Sequence, residues 1–115
     1  MMEGNDVIDV KEILEIMDND IELIKECFDD FMDEYPEMLT NIRNSILSGD
    51  TEKVDALAHK LKGSLRYLAA SDTADIASKL EYKGKKGNLE GAEALLEELA
   101  ESCEKLKAFM TSYQG

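Results

Sequence analysis

The chain has 115 residues, with 26 acidic and 13 basic side chains and a formal net charge of −13. That length suits one domain with one core, expected to span residues 1–115. The charge argues against nucleic-acid binding, which needs a basic surface, and against an anionic membrane surface. No apolar run approaches the ~20 residues of a membrane span. The acidic start MMEGNDVIDVKEI lacks the basic and apolar regions of a signal peptide, so a cytoplasmic protein is expected.

Breakers divide the chain into five apolar-periodic segments. The first, Val10 to Met17, predicts a short helix with Ile13, Leu14 and Met17 on one side. MDND at 17–20 ends it. The second runs from about Asp20 to Ser48, with Ile21, Ile24, Cys27, Phe28, Phe31, Met32, Tyr35, Leu39, Ile42 and Ile46 in the 3–4 spacing of an amphipathic helix. Pro36, the only proline, lies inside it. The stripe resumes in phase afterwards, which predicts a kink rather than a stop.

The third helix is expected from a cap at Asp50 or Thr51 to about Ala69. The fourth is expected from a Ser71 cap to before Gly84 or Gly87. The fifth is expected from an Asn88 cap to about Tyr113. Four long amphipathic helices joined by short turns predict an all-α fold: an antiparallel up-down four-helix bundle with a short extra N-terminal helix covering one end. The two cysteines, Cys27 and Cys103, fall on apolar stripes and read as small buried hydrophobes in a reduced compartment. With one histidine they cannot make a zinc site of the usual spacing.

The single histidine sits in the third helix, within ALAHKLKGSLRYLAA at 56–70. On a wheel of about 100° per residue, Val54, Leu57, Ala58, Leu61, Leu65 and Leu68 share one arc. His59 lies roughly 150° from its centre, and Lys62, Gly63 and Arg66 lie on the same outward side. His59 is therefore exposed. Glycine inside a helix costs about 1 kcal/mol relative to alanine, so Gly63, one turn after His59, calls for a reason. A missing side chain there clears an approach to the imidazole. Lys62 can offer an ammonium to an anion carried on the ring. A neutral imidazole is a good nucleophile, and phosphoryl transfer is largely positioning plus charge stabilisation. The outer tip of the ring makes Nε2 the expected attacking nitrogen.

Charge agrees with that chemistry. Residues 58–86 carry a net +4, including Lys60, Lys62, Arg66, Lys79, Lys83 and Lys85, whereas the rest of the chain carries −17. Lys60, Lys62, Arg66, Lys83 and Lys85 are expected to form a basic rim for an acidic partner surface. Glu81, 22 residues after His59, stands about as far beyond the 69–72 turn as His59 stands before it. It is either an acceptor for the second imidazole nitrogen, orienting the ring, or an ordinary solvated glutamate.

AHKLKGSLRYLAA resembles the signature of the histidine-containing phosphotransfer (HPt) domain, roughly H-x-L-K-G-S-x-x-x-L-G-A. His59, Leu61, Lys62, Gly63, Ser64, Leu68 and Ala70 match. VIDVKEILEIMDND is similar to the family's short first helix and turn, and FMDEYPEMLTNI to its proline-kinked second helix. The resemblance implies a four-helix bundle that carries phosphate on histidine between receiver-domain aspartates, without ATP binding or kinase activity of its own. It implies His59 as phosphoacceptor, Lys62 as phosphate-stabilising cation, Gly63 as steric access and Ser64 as an anchor of the signature turn. The implied partners are a response-regulator receiver domain or a hybrid sensor histidine kinase, met by a monomer that needs no cofactor, with magnesium supplied by the receiver. The alternative is a non-catalytic helical adaptor binding a signalling partner through the same face. Two positions depart from the family pattern. Ala69 stands where glycine is usual, so the helix is expected to end differently there. Tyr67 stands where a small or amide residue is common, which alters the rim of the docking face.

Overall fold

A computed structural model describes residues 7–114. The acidic start read against a signal peptide falls partly outside the described residues, as do the two ends of the expected 1–115 domain. Among the described residues there are five helices: α1 (Val10–Ile16), α2 (Ile21–Ser48), α3 (Thr51–Tyr67), α4 (Ser71–Lys86) and α5 (Ala92–Ser112). None is long and apolar enough to cross a membrane.

The helices α2 to α5 form the bundle, each packing on its chain neighbours, with α5 closing back on α2. The expected stripes face inward. Ile24, Phe28, Phe31, Tyr35 and Ile42 of α2 are buried with Val54, Ala58, Leu61 and Leu65 of α3. Ala74, Ala77 and Leu80 of α4 share the same buried core with Leu96, Leu99, Cys103 and Leu106 of α5. Phe28 packs edge-on against Phe109 and Tyr113, tying α2 to α5. Tyr35 donates to Glu104 at 2.6 Å across the same pair. Ile8, Ile13 and Met17 lay α1 over one end of the bundle, where the Asp9 amide donates to the Ala69 carbonyl. Both cysteines are free; burial pushes the Cys103 thiol up to about 12, and Cys27 is half-buried.

Helix starts follow capping chemistry where an acid precedes them. Asp9, Asp20 and Asp50 accept from the amides of Glu12, Leu23 and Lys53. The long α2 runs through Pro36 without a break.

Two expected caps are displaced, for one reason. Three helices, α2, α3 and α4, end in a left-handed residue whose amide and the next one reach back to the last turn. Gly49 and Gly87 take that conformation at little cost. Between them Ala69 does the same, with φ of 60°. Ala69 thus gives the α3 ending the left-handed geometry that glycine gives the α2 and α4 endings. The Ala70 amide closes the α3 turn on the Leu65 carbonyl, and Ala70 is itself the N-cap of α4. Ser71 is therefore the first residue of the helix and not its cap. Likewise the Asn88 amide is bound to the Lys83 carbonyl as part of the α4 ending. Asn88 caps a short turn through the Glu90 amide, and α5 starts later, after Gly91.

Gly84, read from sequence as a possible end of the fourth helix, lies within α4 and is buried. A Cβ there would meet the Asp55 amide nitrogen at 2.5 Å and the Thr51 carbonyl oxygen at 2.7 Å. The missing side chain lets α4 lie directly on the α3 backbone. That contact brings the middle of α4 against His59.

Candidate functional site

The site is built on the α3–α4 pair. The apolar arc of α3 turns Val54, Ala58, Leu61 and Leu65 into the core, which leaves His59 outward with a side chain 67% exposed. Its Nδ1 lies 2.7 Å from Oε2 of Glu81 on α4. Glu81 is no solvated glutamate: its side chain is only 7% exposed. The carboxylate accepts Nδ1–H, which leaves Nε2 as the bare, outer nitrogen of the ring.

Lys62 donates from Nζ to the other oxygen of Glu81, Oε1, at 2.5 Å, and its side chain is 17% exposed. This ammonium holds the Glu81 carboxyl below the usual carboxylate range. Burial pushes the other way, and the His59 contact adds to the lowering. A buried carboxylate with a cation on one oxygen stays ionised and keeps an acceptor facing the imidazole. The structure thus brings together His59, Lys62 and Glu81, three residues singled out from sequence, in one hydrogen-bonded row.

Gly63 is exposed, and a Cβ built there meets nothing within 4 Å. The face beside the imidazole is open. Ser64 is half-buried and lines, with Tyr67, Met38 and Phe31, a shallow groove between α3 and α2. Tyr67 is 51% exposed on the rim of that groove.

The expected basic rim does not form as one: Lys62 is turned onto Glu81, and its other four members divide into three groups. Lys60 and Arg66 are exposed and make no ion pair among the described residues. Lys85 leans toward the α3 side, 3.4 Å from Asp55 and 3.8 Å from Glu81. Lys83 is not brought to His59. It lies two residues past Glu81 on the side of α4 that meets α5, close to Gly91 and Leu95. Asp55 and Gly84 were not singled out from sequence. Asp55 stands one turn before His59, a spacing that marks a shared face. The interior glycine of α4 had a legible signal, but it was read as punctuation.

A model of the Hpt domain family matches residues 26–109 of this chain. No curated protein matches it in sequence. Among solved structures, the histidine-containing phosphotransfer protein B (HptB) of Pseudomonas aeruginosa PAO1 is similar in fold, with a TM-score of 0.88. The two are 19% identical over 96% of this chain and 100% of that one. With the family model spanning most of the bundle and the outward histidine at its signature, the chain belongs to the Hpt domain family, the phosphocarriers of phosphorelays.

Proposed function

We propose that His59 is the phosphoacceptor, taking a phosphoryl group from a receiver-domain aspartate and returning it to one. What carries the assignment is the 2.7 Å contact from Nδ1 to buried Glu81, which leaves Nε2 free beside the open Gly63 face. The Nε2 lone pair attacks phosphorus while the bond from phosphorus to the aspartyl oxygen breaks and the carboxylate leaves. The ring keeps its Nδ1 proton and becomes cationic, and the Glu81 carboxylate balances that charge in place. Lys62 fixes Glu81, and Gly63 lets the receiver's aspartate approach.

The partner is a receiver domain, free or within a hybrid sensor kinase, and its own acidic pocket supplies magnesium. This chain acts as a monomer in the cytoplasm, without ATP and without kinase activity of its own. Mixing it with a receiver bearing an acyl phosphate should place acid-labile, base-stable phosphate on His59, located by mass spectrometry. His59→Gln should keep the helical circular dichroism and lose all transfer. Transfer persisting in that variant, or phosphate on another residue, removes the assignment. Binding of the receiver with no phosphate appearing on the chain would favour the adaptor reading instead.

A further inference from the structure

Two lysines flank the Glu81 carboxylate, and they are held very differently. Lys62 is mostly buried and makes a short contact of 2.5 Å to Oε1. Lys85 is 58% exposed and straddles two carboxylates at a distance. Its Nζ lies 3.4 Å and 3.5 Å from the two oxygens of Asp55, and 3.8 Å from Glu81 Oε2. Charge-assisted contacts of full strength run near 2.7–2.9 Å, so Lys85 is tethered loosely. The Glu81 oxygen it approaches is the one that faces His59 Nδ1. Asp55, which holds its other side, stands one turn before His59 on the same helix.

Phosphorylation at Nε2 would place a phosphoryl group of roughly −2 charge on a ring that turns cationic, a net addition of about −1, with the phosphoryl oxygens next to these two carboxylates. A cation has to answer it, and the cost of moving each lysine decides which one. If Lys62 moved, Glu81 would keep its buried charge with one partner fewer, which is expensive. Lys85 would give up only long contacts, and Asp55 is 27% exposed, so water replaces the loss. The other candidates are worse placed. Lys60 lines the α2 side beside Asp33, Glu34 and Glu37. Arg66 starts two turns along α3, roughly 10 Å up the axis.

Resting on His59 as phosphoacceptor, we propose that Lys85 is the lysine that contacts the phosphoryl group. Asp55 parks it in the unphosphorylated protein, and Lys62 remains on Glu81 as a positioning residue. The two lysines of the site then have separate tasks: one orients the imidazole, and the other swings onto the product.

Potassium phosphoramidate is a small donor that tests this without a receiver. Nε2 forms the new bond to phosphorus, the phosphorus–nitrogen bond of the donor breaks, and ammonia leaves. Loading followed by 31P NMR, with the His59 tautomer read from 15N shifts, separates the two tasks. Lys85→Gln should slow loading about tenfold with the tautomer unchanged. Lys62→Gln should shift the tautomer populations. Asp55→Asn should speed loading about two- to threefold, and that gain should vanish on the Lys85→Gln background. Lys53→Gln removes the same charge from the exposed start of α3 and serves as the control for general electrostatics.

A parent protein that takes no phosphate on His59 defeats the phosphoacceptor assignment itself. A parent that loads normally while Lys85→Gln loads as fast, or no slower than Lys53→Gln, overturns the role of Lys85 alone. Slow loading in Lys62→Gln with an unchanged tautomer would hand the phosphate contact to Lys62. An Asp55→Asn gain that persists in full without Lys85 would overturn the parking role.

Discussion

His59 is made useful by one neighbour that is present and one side chain that is missing. The neighbour, Glu81, is held below the usual carboxylate value of 4.5, first by its hydrogen bond from Lys62. A depressed folded value stabilises the protein above the unfolded value, and that share is lost as pH falls through the folded one. Glu81→Gln should therefore lose about 1–3 kcal/mol at pH 7. The gap from the parent should hold down to about pH 5 and close below 4.5, as urea titrations at pH 7, 5 and 3 would show. A gap as wide at pH 3 as at pH 7 would mean that the ion pair contributes nothing. At the missing side chain, Gly63→Ala meets open space, so helix propensity alone acts. It should stabilise by up to about 1 kcal/mol and raise the melting temperature by a few degrees, while slowing phosphotransfer. Gly63→Glu should fold and transfer far more slowly, through bulk and repulsion of the phosphoryl group. Parent-rate transfer in a folded Gly63→Glu protein would show that the opening has no use.

The α3–α4 pair carries the second glycine, and its substitution should act in the opposite sense. A Cβ at Gly84 would press on the Asp55 amide at 2.5 Å and the Thr51 carbonyl at 2.7 Å, both backbone atoms that no rotamer change can move. Gly84→Ala gains about 1 kcal/mol of helix propensity, and overpacking of this kind costs about 1–3 kcal/mol. The clash should win. The variant should melt lower than the parent, and the two helices should separate enough to lengthen the Glu81–His59 contact. Loss of the Nδ1–H tautomer signal by 15N NMR would report that separation. A Gly84→Ala protein that melts higher than the parent would mean that the helices yield freely and that their spacing does not position the site. The turn between the same two helices is left-handed without a glycine. Ala69 takes the left-handed conformation at φ of 60°, a strain that Gly would avoid, and both it and Ala70 are buried beneath the N-terminal segment.

Across the whole molecule, charge is divided around the imidazole. The acidic residues of α2 line the groove on one side, while exposed Lys60 and Arg66 rise from α3. At 0.15 M salt the Debye length is about 8 Å, so a docking partner feels this local pattern more than the net −13 of the chain. Above about 0.1 M, transfer from a subsaturating receiver should slow as salt rises. The paired reversal Lys60→Glu/Arg66→Glu should lower the second-order rate about tenfold at 0.1 M and much less at 1 M. Stopped-flow transfer at several salt concentrations would measure both. A rate independent of salt, with the reversal harmless, would remove these side chains from docking.

The number of helices, the inward face of each, the outward histidine and the open Gly63 face were legible in the sequence. Each depends on periodicity within one helix, and periodicity is a local property. The pairing of Glu81 with His59 was legible only as one of two readings. Counting residues from a turn sets height along a helix pair and leaves rotation open. What the tertiary structure alone decided is how close α3 and α4 come and which charges then meet. Gly84 sets that distance from 25 residues beyond His59. Lys62 turns to Glu81, and Lys85 to Asp55, because both carboxylates lie at the seam between the helices. Ser71 and Asn88 have the side chains of caps. They do not cap α4 and α5, because the preceding helix endings already determine the backbone there. Contacts across a seam depend on two elements at once, and no pattern within either one specifies them.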